Sequence, residues 1–192
     1  MSPFAAARDA DTGSLTALGA LIPADDAIVL LEAGPIALPP ESLVEKQAIG
    51  VQMVAARLAP AQAGTHVQPL GDADAAEMLA LAALTEPGPF LPNTHRFGGF
   101  VGIRAEGRLA AMAGERLKPD GFTEVSGVCT HPDFRGRGYA ALLSGIVANR
   151  IAARGETPFL HAYADNDGAI RLYRSLGFVV RSEVSVMVVR RP

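Results

Sequence analysis

Between Val125 and Asn149 the chain reads VSGVCTHPDFRGRGYAALLSGIVAN, and this stretch restricts the possible folds more than any other. Thr123, Val125, Val128 and Thr130 are β-branched and suit a strand. Pro132 has no N–H to give a ladder, so pairing is expected to stop there. From Ala140 onward Leu143, Val147 and Ile151 fall at i, i+4 and i+8, an apolar helix stripe, and Gly155 ends it. Arg135, Gly136, Arg137 and Gly138 join strand to helix.

A turn that opens a helix leaves several backbone N–H groups without intrahelical partners. They point one way, the helix dipole adds positive potential, and glycines let an anion approach the chain closely. Arg135 and Arg137 add charge-assisted donors. A phosphate or pyrophosphate site follows from these features, while a plain solvated arginine turn fits the same four residues equally well. No Gly-Lys-Ser/Thr closes the turn and no G-x-G-x-x-G is present, so neither a P-loop nor a dinucleotide fingerprint is indicated.

Arg135-Gly136-Arg137-Gly138-Tyr139-Ala140 resembles the [Q/R]-x-x-G-x-[G/A] signature of the GNAT superfamily, the acyl-CoA-dependent N-acyltransferases. Downstream, Asn166 to Phe178 (NDGAIRLYRSLGF) is similar to that family's N-x-x-A-x-x-L-Y-x-x-L-G-F element. The resemblance covers roughly residues 99 to 180. It implies an α/β (α+β) fold with a central, mixed, mostly antiparallel V-shaped sheet flanked by helices. It also implies acetyl-CoA as cosubstrate, its diphosphate held by the loop from Arg135 to Ala140.

Composition sets outer bounds. A chain of 192 residues, 49% of them apolar, supports one domain or a domain with a smaller lobe. The net charge of −3 argues against a general nucleic-acid binder. One cysteine excludes a disulfide framework and a cysteine metal site and suits a reducing compartment. Neither a secretory signal nor a stretch of membrane-spanning length is visible, so the expected setting is the cytoplasm.

Residues 1–63 read as an N-terminal α/β extension. Asp11 or Thr12 caps a helix carrying Leu15, Leu18 and Leu21 that Pro23 stops. Ala27 to Leu31 is a buried strand, Gly50 to Ala56 a strand or short helix, and Ala59 to Gly64 a linker. The order faintly echoes the later part, leaving a degenerate half-copy open beside a plain packing extension. Residues 64–192 form the second part. A strand at His66 to Leu70 leads to a helix at Ala75 to Leu84, whose Met78, Leu81 and Leu84 face the core. Thr85 to Asn93 holds three prolines and is a loop. By resemblance it lies over the acceptor site, with Glu86, Phe90, Asn93 and nearby His95. Strands follow at Phe100 to Ala105 and Arg108 to Leu117, then the central strand, a strand at Pro158 to Ala164, and a closing hairpin at Val179 to Val189.

An isolated glycine within a strand marks a bulge or a close backbone approach, and Gly127 is one. In the family a bulge here splays two parallel strands, and the pantetheine arm adds to the opened edge. The resemblance therefore places Val128, Cys129 and Thr130 along the cofactor, opposite the strand at Phe159 to Ala164. Val128 N–H would serve as oxyanion donor.

An alkylammonium, with a pKa of roughly 10, must lose a proton before it attacks a thioester, and the thiolate must gain one. Glu124 resembles the family's general base and Tyr173 its general acid, with Glu115 in reserve. A solvated strand-end carboxylate and a core aromatic are the plainer readings. Asn166 caps the helix from Ala169 to Leu176, which Gly177 ends, and by resemblance also touches pantetheine. Cys129 reads as a buried strand residue. His131 and His161 have no metal-ligand spacing, so no metal is expected; His161 is placed to face the acceptor pocket. The sequence leads to acetyl transfer onto a small-molecule or peptide amine by a monomer or homodimer, without nucleic acid or membrane. A coenzyme A sensor without catalysis, or transfer of another acyl group, stays open.

Overall fold

The computed structural model describes residues 3–60 and 66–192. Four helices, α1 (Thr12–Ala20), α2 (Ala75–Thr85), α3 (Tyr139–Ala153) and α4 (Asp167–Ser175), accompany eight strands. The strands are β1 (Ala27–Glu32), β2 (Leu43–Ala55), β3 (Val67–Pro69), β4 (Val101–Ala105), β5 (Arg108–Glu115), β6 (Phe122–Thr130), β7 (Thr157–Tyr163) and β8 (Phe178–Arg190). Their order in the mixed α/β sheet is β1-β8-β2-β7-β6-β5-β4-β3. The β6–β7 pair is parallel, whereas β1–β8, β3–β4, β4–β5 and β5–β6 are antiparallel.

The chain folds as two compact units made of non-contiguous segments, residues 53–161 with 168–179, and residues 2–52 with 162–167 and 180–192. In the first, α2 lays Met78, Leu81 and Ala82 against Phe100, Leu109 and Met112. The stripe expected on α3 is buried throughout, Leu143, Val147 and Ile151 being fully inaccessible. Gly155, at φ +80°, follows its end. In the second unit Leu18 and Ile22 pack on Ile28, Leu30 and Val189. Asp11 starts α1 as its residue type requires, its Oδ1 accepting from the N–H groups of Gly13 at 2.7 Å and Ser14 at 3.0 Å.

Three readings of the sequence are corrected. The stretch from Gly50 to Ala56, open between strand and short helix, is a strand, but β2 has 13 residues and begins at Leu43, well before Gly50. Its first half is exposed, so no apolar alternation marked it. The closing segment is a single long strand, β8, not a hairpin. It pairs with β1 from Ala27↔Arg190 to Glu32↔Ser185, a partner more than 150 residues away in the chain, which no local pattern announces. Helix α4 starts at Asp167, immediately after Asn166, not at Ala169. The expected linker falls largely on residues 61–65, outside the described residues, as does the expected boundary at 63/64.

Gly177 closes α4 at φ +94° with its N–H donating to Arg174 O at 3.0 Å. Its carbonyl accepts from Ala56 N and Arg57 N, so the backbone approaches that of Arg57 without room for a Cβ. Gly177→Ala is expected to cost more than about 2 kcal/mol of unfolding free energy, since left-handed strain and a backbone clash combine. Gly34→Ala, which meets nothing within 4 Å, should change stability little; urea denaturation of the two variants checks the contrast.

Candidate active site

Strands β6 and β7 pair in parallel from Phe122↔Thr157 to Glu124↔Phe159, and the ladder ends there. On its other side β6 slips against β5: Gly114 pairs with Ser126 but Met112 with Cys129, so Gly127 and Val128 together face one residue, Ala113. That is a β-bulge. Gly127 sits at φ +61°, and a Cβ there would come within 2.8 Å of the Phe100 ring. Conformation and space both require glycine. Phe100 is held edge-on by Phe90 at 5.7 Å between centroids. The edge of β6 that carries Val128 and Thr130 is thus left without β7 as partner. Thr130 Oγ1 is buried with no hydrogen bond among the described residues.

Past Thr130 a short 3-10 turn, Pro132–Phe134, leads to the arginine–glycine turn. Gly136 and Gly138 both take φ +77°, and neither has an atom within 4 Å of where a Cβ would stand. Helix α3 begins at Tyr139 with no side chain capping its N-terminus. Outward-facing amides, a helix dipole and open space coincide, which suits an anion such as a pyrophosphate. Buried Phe134 steadies the turn, with the Arg108 and Arg137 guanidiniums each 4.9 Å from its ring centre. Arg135 and Arg137 are both exposed.

Glu124 is not a solvated strand-end carboxylate; it is 1% exposed. Arg116 grips it bidentately, Nε to Oε2 at 2.8 Å and Nη2 to Oε1 at 2.9 Å. His161 Nδ1 lies 2.8 Å from Oε1. Burial pushes its pKa up, but the bonds from His161 and Arg116 and the Arg116 charge outweigh this and bring it down to about 2. Glu115, the reserve carboxylate, is likewise buried and held by Lys118, Arg150 and Arg154, all between 3.0 and 3.1 Å. Burial pushes it up and the three cations bring it below its ordinary value. It ties β5 to α3.

Tyr173 is 8% exposed and stacks edge-on with Phe178 at 6.2 Å. Burial, followed by the proximity of Cys129 and Glu124, pushes its hydroxyl up to about 12, so it stays protonated at ordinary pH. Burial also pushes the Cys129 thiol up to about 12, which suits a packing residue and not a nucleophile. Asn166 is exposed and gives its N–H to Tyr163 O at 3.1 Å. His131 Nδ1 accepts from Asp133 N at 3.2 Å. Among the described residues no cluster of three or more His, Cys, Asp or Glu side chains is placed to hold a metal. No helix of the structure is long and apolar enough to cross a membrane.

In and just after the loop from Thr85 to Asn93, Phe90 and His95 point inward, His95 Nε2 meeting Asp72 Oδ1 at 2.7 Å, while Glu86 and Asn93 are exposed. Sequence reading missed Arg116 and the contact between His161 and Glu124. The only local signal for the first was a cation and a carboxylate on either side of the tight turn LKPDG. For the second there was none, because the two residues meet only through sheet pairing.

A protein assigned to the acetyltransferases of the GNAT family from Novosphingobium aromaticivorans DSM 12444 is 46% identical, with a TM-score of 0.92. The likeness covers 100% of this chain and 85% of that one. The chain belongs to the GNAT family. The family model described as FR47-like protein matches residues 100–187. The N-alpha-acetyltransferase RimI of Mycobacterium tuberculosis is 37% identical over 90 residues, 45% of this chain and 53% of its own length. The chain thus aligns with about half of that relative. The ribosomal-protein-S18-alanine N-acetyltransferase of Escherichia coli, at 20% identity and a TM-score of 0.52 over 64% of this chain and 90% of that one, shares the fold. The GNAT chain described here is an acyltransferase.

The Glu124 pKa has a definite stability consequence. Because the folded value is depressed, the ion pair stabilises the fold above the ordinary carboxylate value of 4.5, and that contribution is lost as pH falls through about 2. Glu124→Gln is expected to flatten the acid limb of stability between those two values. Arg116→Ala strands a buried charge and is expected to cost about 3–5 kcal/mol at neutral pH. Denaturant titrations across the pH range check both.

Proposed function

We propose that this protein transfers the acetyl group of acetyl-CoA to a primary amine, small or peptide-borne, by direct attack on the thioester. The observation that carries this reading is the junction of a bulged, unpaired strand edge with an uncapped helix start. The first suits an extended pantetheine arm, the second its pyrophosphate. Arg135, Gly136, Arg137, Gly138, Tyr139 and Ala140 would hold the anion. Val128, Cys129 and Thr130 would line the arm, and Asn166 would supply a further polar contact to it.

The reaction forms one bond and breaks one. The amine nitrogen attacks the acetyl carbonyl carbon, the oxygen takes negative charge near Val128 N–H, and the C–S bond then breaks. The nitrogen sheds a proton toward the centre built on Glu124, and the leaving thiolate gains one from Tyr173. A hydroxyl held at about 12 is protonated at any working pH, so its proton is present when the thiolate leaves. The inert Cys129 thiol supports direct transfer over an acyl-enzyme route.

The double variant Arg135→Glu/Arg137→Glu is expected to weaken coenzyme A binding by at least about 10-fold, as loss of charge-assisted bonds worth about 1.5–3 kcal/mol requires. Calorimetry with coenzyme A reads it, and unaltered affinity would overturn the placement of the pyrophosphate. Release of free thiol from acetyl-CoA in the presence of a panel of primary amines tests the reaction itself.

A further inference from the structure

The buried carboxylate in the active site is an awkward proton acceptor. Both Glu124 oxygens are engaged by Arg116, one also by His161, and the group is almost wholly enclosed. An amine approaching it would have to break an ion pair to deliver a proton. His161 touches that carboxylate from β7, two residues past the last pair of the β6–β7 ladder. The parallel register pairs Glu124 with Phe159. Ser126 and His161 are each two residues further along their strands, past the end of that ladder. Ser126 is one residue before the Gly127 bulge, whose Val128 N–H is the proposed oxyanion donor. The His161 side chain retains 12% of its exposure against 1% for Glu124, and the Phe159 ring, edge-on at 5.6 Å, steadies it.

We infer that His161 is the catalytic group that takes the amine proton, through Nε2, and that Glu124 and Arg116 are positioning residues behind it. This rests on the acetyl-transfer reading above. A carboxylate can only accept, so at 2.8 Å from Oε1 the neutral ring must carry its proton on Nδ1, which leaves Nε2 as the basic nitrogen. As the nitrogen–carbon bond forms, the amine proton passes to Nε2, the C–S bond breaks and the thiolate is protonated by Tyr173. The imidazolium is stabilised by Glu124, which keeps its charge, and returns its proton to solvent. Arg116 fixes the carboxylate plane from the turn after β5. Glu124 faces the ring, and Arg116 holds Glu124 from behind. Tyr173, near enough to sense Glu124, remains neutral.

Three measurements on the full chain test it. Thiol release from acetyl-CoA with a responsive amine is expected to fall at least about 100-fold in kcat for His161→Gln, with coenzyme A affinity by calorimetry unchanged. The acidic limb of the wild-type kcat/KM profile should vanish in that variant, and added imidazole should restore turnover to His161→Ala. Glu124→Gln keeps an acceptor for Nδ1–H, so its kcat is expected to fall less than that of His161→Gln. Wild-type turnover and limb in His161→Gln would overturn the inference and return the proton to Glu124 itself. Nitrogen-15 NMR of the wild-type ring needs no acceptor: a proton on Nδ1 in the neutral ring supports the inference, and a proton on Nε2 overturns it. If no amine releases thiol, acetyl transfer is refuted, while the ring tautomer still decides the geometry of this pair.

Discussion

Everything that gives this protein chemistry depends on two adjacent strands ceasing to pair. Backbone amides and carbonyls in a sheet are ordinarily consumed by the ladder, and an unpaired buried edge is costly. Here β6 leaves β7 after Glu124 and takes up an extra residue against β5. The left-handed turn of Gly127 makes the departure possible, and the Phe100 ring fills the space a side chain would have occupied. The opened edge then leads through Pro132 and buried Phe134 into a helix whose first amides no side chain caps. Two segments of unsatisfied backbone, separated by a short turn, are what a long, polar, phosphate-bearing cosubstrate can satisfy.

The charges around this opening are arranged in two buried carboxylates, each enclosed by cations. Glu115 holds β5 to α3 through Lys118, Arg150 and Arg154, close to where β4 begins, since Arg150 also donates to Gly99 O. Glu124 joins the turn after β5 to β6 and to His161 on β7. An unpaired charge at either place would be expensive, so each carboxylate commits its neighbours to one geometry. The second one links β6 and β7 where the strands part, so the ion pair occupies the place where proton transfer is proposed.

Much of the site was legible because it is local. The glycines at 127, 136 and 138, the proline at 132 and the apolar stripe of α3 act through backbone conformation and helix periodicity, and these need only their immediate neighbours. Gly177 after Leu176 and the Asp11 cap were readable for the same reason. The resemblance carried by RGRGYA and by the Asn166 to Phe178 segment added the family. Less could be read of long-range pairing. Strand β8 finds β1 more than 150 residues away, and the exposed half of β2 shows no alternation that would mark it. Burial of Glu124 was equally hidden, because Arg116 reaches it from the turn after β5 and His161 from β7.

The sequence by itself determined where the chain must turn and where an anion can approach a helix start. Those follow from dihedral restrictions on glycine and proline and from residue spacing, which do not change with the surroundings. Only the tertiary structure decided which charges are buried, which of them meet, and that the last segment is one strand and not two. Each of these depends on which distant atoms displace water from a group. A linear pattern cannot encode that displacement; three-dimensional packing creates it.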